Sequence, residues 1–104
     1  MAATLSISGS ESLAELKAKS DTGDTYALPA VAVAKFIKRY VDDDVTAAEL
    51  EEIGDVLESS EFFEYTGPGS DGVIAQVVFE FATPRISGPI TKEAAARWLN
   101  LLDA

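Results

Sequence analysis

The chain reads as an α+β protein: a single compact acidic domain, 1–104, of three to four helices with a β-hairpin over residues 62–82. Three observations predict this class. Apolar residues recur at helical spacing in two central segments, Pro29–Val41 and Thr46–Glu58. After them come two runs of β-branched and aromatic residues, "FFEYT" and "VIAQVVFEFA", separated by the turn sequence "GPGSDG". Finally, 104 residues with 47% hydrophobic and 25% charged content suit one core in one domain.

The elements follow in order. "TLSIS" (Thr4–Ser8) alternates apolar and hydroxyl side chains, as a short strand does. "SLAE" (Ser12–Glu15) has capping-box spacing and opens a short helix to about Lys19. "SDTGDT" is turn chemistry, and "TYAL" is an extended segment leading to Pro29. Pro29 suits the first turn of a helix, where no amide hydrogen is needed. Val33, Phe36, Ile37 and Tyr40 then share one face, with Lys35, Lys38 and Arg39 on the other.

Thr46-Ala-Ala-Glu49 is a second capping box, flanked by Val45 and Leu50 as a hydrophobic staple. Leu50, Ile53 and Leu57 form the buried stripe of the helix it opens. At about 100° per residue, Glu51, Glu52, Asp55 and Glu58 gather on the opposite arc. In the expected second hairpin strand, period two places Val73, Ala75, Val77, Phe79 and Phe81 on one face and Ile74, Gln76, Val78 and Glu80 on the other. "TPRISGP" is a connector. Thr91 caps a last helix whose Ala95, Trp98, Leu99 and Leu102 face inward.

Charge is the most informative property. Eighteen acids against eight bases give a net charge of −10. No Lys or Arg lies between Arg39 and Arg85, and twelve acids do. Outside that stretch the balance is +2. The densest part is "DDDVTAAELEEIGDVLE", Asp42–Glu58, with eight carboxylates. Such a field repels nucleic acid and anionic membrane and favours basic partners.

Several chemistries are excluded. Neither cysteine nor histidine is present, which removes disulfides, thiol nucleophiles, the usual zinc ligands and the usual serine-triad base. "GPGSDG" lacks the Lys and Ser/Thr of a phosphate-binding loop. "VTAAEL" imitates the end of a calcium-binding EF-hand loop. With Glu49 in the last ligand place, however, the first and third places fall on Lys38 and Tyr40, which cannot serve. No metal, cofactor or catalytic residue is therefore expected. No apolar run approaches the roughly 20 residues of a membrane span, and "MAATLSISGSES" has neither a basic region nor an apolar core of a signal peptide. The expectation is a soluble, cytoplasmic protein.

From the first helix to the second hairpin strand, the element order resembles a winged-helix domain. That resemblance implies a three-helix core with a hairpin wing. The recognition-helix place would fall on the acidic Thr46–Glu58 segment, which cannot approach a phosphate backbone.

The expected function is a non-enzymatic interaction domain that binds a basic protein partner, in the manner of inhibitors, immunity proteins or antitoxins. The expected contact residues are Asp42, Asp43, Asp44, Glu51, Glu52, Asp55 and Glu58. The alternative is an assembly subunit that associates through its hairpin and C-terminal helix, with the charge serving solubility. On that reading Ile74 and Val78, together with Val31 on the outer arc of its helix, are candidates for an apolar contact surface. The sequence leaves the oligomeric state open.

Overall fold

A computed structural model describes residues 5–67, 69–70 and 72–102. Six helices and two strands follow one another among them: α1 (Leu13–Ser20), β1 (Tyr26–Pro29), α2 (Ala30–Val41), α3 (Ala47–Ser59), β2 (Phe63–Thr66), α4 (Val73–Ala82), α5 (Pro84–Ser87) and α6 (Lys92–Leu102). The α+β class therefore holds, with more helix than the three to four elements expected.

Local signals explain most helix boundaries. Ser12 and Glu15 close a reciprocal capping box at α1, and Thr46 and Glu49 do the same at α3. Pro29 stands immediately before α2. Thr91 Oγ1 accepts from Ala94 N at 3.0 Å and so caps α6. Val45 and Leu50, the expected staple, are both buried.

The hairpin expected over 62–82 is not formed. Its first half is strand β2, but Val73–Ala82 is helix α4. Burial decides between the two periods. Ile74, Val77, Val78 and Phe81 are fully enclosed, at i, i+3, i+4 and i+7, whereas Phe79 is 41% exposed. Ile74 and Val78 therefore belong to the core and are not available as a contact surface. On the solvent side of α4, Gln76 Nε2 donates to Glu80 Oε2 at 3.1 Å, a bond between residues i and i+4 that only a helix brings together. With the hairpin goes the wing, and the winged-helix order is not reproduced.

Strand β2 pairs instead with β1, in parallel, from Tyr26↔Phe63 to Pro29↔Thr66. Parallel pairing needs a long crossover, here supplied by α2 and α3. The segment expected as a first strand contributes an isolated bridge, Ser6↔Ala27; Thr4 lies outside the described residues. Tyr26 and Phe63 meet edge to face beneath the sheet at 5.8 Å.

One core joins all the layers. Phe36, Ile37, Leu50, Ile53, Phe81 and Trp98 are among its fully buried members. Helices α3 and α4 approach closely at Gly54. A Cβ there would lie 2.9 Å from both Ala82 Cβ and the Phe81 ring. Gly9 plays a similar part for the N-terminal loop, where a Cβ would stand 2.4 Å from Lys35 Cβ on α2, at a φ of +95°.

Two buried or half-buried carboxylates hold the periphery. Glu11 accepts from the amides of Ser8 and Gly9, both at 2.9 Å, while Arg39 donates to the carbonyls of Gly9 and Glu11. Glu80 Oε1 accepts from Trp98 Nε1 and from Arg97, both at 3.1 Å. Burial pushes both carboxyls up, but the hydrogen bonds outweigh it and leave each below its ordinary value.

Two expected outcomes test this arrangement. Val78→Ala should cost about 2 kcal/mol and Phe79→Ala about 1 kcal/mol in denaturant unfolding, an order that a strand would reverse. Glu80→Ala leaves the Trp98 indole N–H without its acceptor and should cost about 2 kcal/mol at neutral pH. Because Glu80 is held below its ordinary value of 4.5, its contribution is present above that pH and lost as pH falls through the folded value. The variant's stability should accordingly fall less steeply than the wild type's on acidification below 4.5, as read from melting temperature against pH.

Candidate functional site

The acidic run divides into two structural units. Asp42, Asp43 and Asp44 form the C-terminal turn of α2. Asp43 N donates to Tyr40 O at 3.0 Å and Asp44 N to Arg39 O at 2.8 Å, the pair of bonds that closes a helix in a Schellman motif. That motif requires a left-handed residue, and Asp43 takes it at φ 64°. Lys92 stabilises the turn from α6: its Nζ donates to the carbonyls of Tyr40 and Val41 and to Asp43 Oδ1 at 2.8 Å. The ammonium also sits 4.3 Å from the centre of the Tyr40 ring. Asp43 thus has a place in the fold. Asp42 and Asp44 are exposed and make no ion pair among the described residues.

The second unit is the outer arc of α3. Glu52, Asp55 and Glu58 are exposed and Glu51 is half-buried. Their backbones are fixed by burial of Leu50, Ile53, Gly54 and Leu57 on the other side. None of the four forms an ion pair among the described residues. The Asp42–Asp44 turn lies before the N-terminus of this helix and Glu58 lies in its last turn; from Ala47 to Glu58 alone the helix spans roughly 17 Å at 1.5 Å per residue. The seven carboxylates are therefore a stripe rather than a cluster. No group of three or more acidic side chains converges as a metal site among the described residues.

Glu51 and Asp55 form a wall of an open groove of about 300 Å³, completed by Ala82, Thr83, Pro84, Arg85 and Ile86. The opposite wall is the turn from α4 into α5, which sequence reasoning treats as a plain connector. Pro84 in its first helical turn is the signal that a short helix starts there. Ile86 is 77% exposed. Arg85 faces the groove without an ion pair to either carboxylate.

At its far end, the stripe reaches the sheet. Burial, and then the Glu58 carboxylate, raise the Tyr65 phenol above its usual value. Val31 is 58% exposed, as expected for the outer arc of α2. Trp98 and most of Tyr40 lie in or against the core.

No family model matches the chain, and neither a curated protein nor a solved structure matches it. No helix among the described residues is long and apolar enough to cross a membrane.

Calcium titration provides a test of the turn as a structural cap. At near-physiological ionic strength, calorimetry should detect no saturable site tighter than the roughly 10⁻⁵ M of sensor loops. A stoichiometric micromolar isotherm would reassign Asp42–Asp44 as ligands.

Proposed function

We propose that the protein is a non-enzymatic interaction domain that engages a basic surface of a partner protein, as inhibitors, immunity proteins and antitoxins do. Its contact surface is the carboxylate stripe of Asp42, Asp43, Asp44, Glu51, Glu52, Asp55 and Glu58, and its setting is the cytoplasm. The observation that carries this reading is the state of Glu52, Asp55 and Glu58: exposed, aligned on a rigid helix, and without a cation among the described residues. Fixed carboxylates of one sign raise the encounter rate with a basic surface and set the orientation of docking. Ile86, at the edge of the same stripe, offers an apolar contact beside the charges.

Solubility is the competing use of the charge, with association through apolar residues instead. With Ile74 and Val78 buried, that reading falls back on Phe79 and Leu101, which are both more than two-fifths exposed.

The experiment is a fourfold substitution, Glu51→Gln, Glu52→Gln, Asp55→Asn and Glu58→Gln, assayed against a partner captured from the host extract at low salt. The melting temperature should stay within a few degrees of wild type, because the altered side chains carry no core packing. Association should slow roughly tenfold or more at low salt and lose most of its salt dependence. Arg85→Ala, which removes the cation beside Glu51 and Asp55, should act in the opposite direction. A folded fourfold variant with unchanged rate and unchanged salt slope would leave the stripe as a solvated helix face.

A further inference from the structure

We infer that the edge of β2 turned away from β1, unpaired among the described residues, accepts an extended, Lys- or Arg-bearing segment of the partner as an added strand. This rests on the basic-partner reading and specifies the form in which the partner binds.

Hydrogen bonding defines the edge. Strand β1 is paired on both sides. Toward the N-terminal segment, Ala27 N donates to Leu5 O at 2.9 Å and Ile7 N donates to Ala27 O at 2.8 Å. Toward β2, Tyr26 N donates to Phe62 O at 2.7 Å. With the register Tyr26↔Phe63, that bond turns the backbone groups of residues 62, 64 and 66 toward β1. Backbone groups alternate sides along a strand, so the N–H and C=O of Phe63 and Tyr65 point away from β1. Neither residue makes a backbone hydrogen bond outside the sheet with another described residue. Among the described residues the sheet therefore ends in two donors and two acceptors in strand geometry, on a strand whose Phe63 is buried and whose Tyr65 is half-buried; such an edge is the template used in recognition by strand addition.

Charge selects the occupant. Glu64 projects from β2 itself, and Glu58 and Glu61 precede it; all three are exposed. Lys19 stands over the ring of Tyr26, a β1 residue, with its ammonium 5.0 Å from the ring centre. A second copy of this chain, laid edge to edge, would bring these carboxylates against their own counterparts, which is repulsive. An extended segment with cations at alternate positions would instead meet them on one face while its main chain pairs with Phe63 and Tyr65. Glu58 also belongs to α3, so the edge continues the helical stripe.

The test is amide hydrogen exchange by NMR on the ¹⁵N-labelled wild-type chain at low salt. The probes are the peptide Lys-Val-Lys-Val-Lys-Val-Lys and a control with Glu in place of each Lys. In the free protein the Phe63 and Tyr65 amides should exchange rapidly. Saturating basic peptide should slow both at least tenfold, and the acidic peptide should change neither. Three results would overturn the inference: protection of both amides already in the free chain, protection that rises with protein concentration alone, or peptide-induced shifts confined to residues 51–58. Absence of any effect of the basic peptide would overturn it as well. The shifts confined to α3 would leave the basic-partner reading standing, whereas that reading fails through the fourfold variant, so the two failures are told apart.

Discussion

The close approach of α3 and α4 at Gly54 is the constraint on which the rest of the surface depends. With no side chain at this position, the Phe81 ring and Ala82 reach the α3 backbone. That contact settles which side of α3 is inside. Leu50, Ile53 and Leu57 are buried with it, and at about 100° per residue the carboxylates on the far arc have nowhere to go but solvent. It also sets the end of α4 beside Glu51 and Asp55, so that the turn into α5 becomes the second wall of the groove. A methyl group at residue 54 would have to displace a packed aromatic ring, and overpacking of this kind typically costs about 1–3 kcal/mol.

The acidic residues sort into two populations with different physics. Glu11, Glu15, Glu49, Glu80 and Asp43 each accept from a backbone amide, the Trp98 indole or a cation, and each fixes an end or a junction of the fold. Asp42, Asp44, Glu51, Glu52, Asp55 and Glu58 form no ion pair among the described residues. The first group would be needed in any protein of this shape. The second adds mutual repulsion along one helix, and in the proposed function it is this group that would steer a basic partner. The Glu80 junction shows how different the two settings are. There a half-buried carboxylate joins α4 to α6 through Trp98 and Arg97.

Much of the fold was legible where a side chain acts on its own backbone. Both capping boxes, the Pro29 start, the Thr91 cap and the buried stripes of α2 and α3 follow from spacing alone. Residues 73–82 were not legible in the same way. "VIAQVVFEFA" is rich in β-branched and aromatic residues, which favours a strand, and its apolar positions satisfy both period two and period 3.6. The tertiary contact with α3 and α6 decides for the helix. The two polar side chains, Gln76 and Glu80, are spaced four apart, which puts them on one face under either period and so decides nothing. Parallel pairing of β1 with β2 was also hidden, because no local turn encodes a contact between residues 37 positions apart. For the candidate site, the outer arc of α3 was readable from its capping box. The groove was not, since Ala82–Ile86 reach Glu51 only through packing, and the αL cap at Asp43 depends on Lys92 from the other end of the chain.

The arrangement of α3 against a helical 73–82 segment is the claim from which the exposed stripe, the groove and the sheet edge all follow. Nuclear Overhauser effects on the isotope-labelled protein measure it most directly. The account predicts cross-peaks between the Gly54 α-protons and the Phe81 ring protons, together with sequential amide–amide contacts through residues 73–82. Cross-strand α-proton contacts between residues 62–66 and 73–82, with no Gly54–Phe81 cross-peak, would contradict it and restore a hairpin in place of α4.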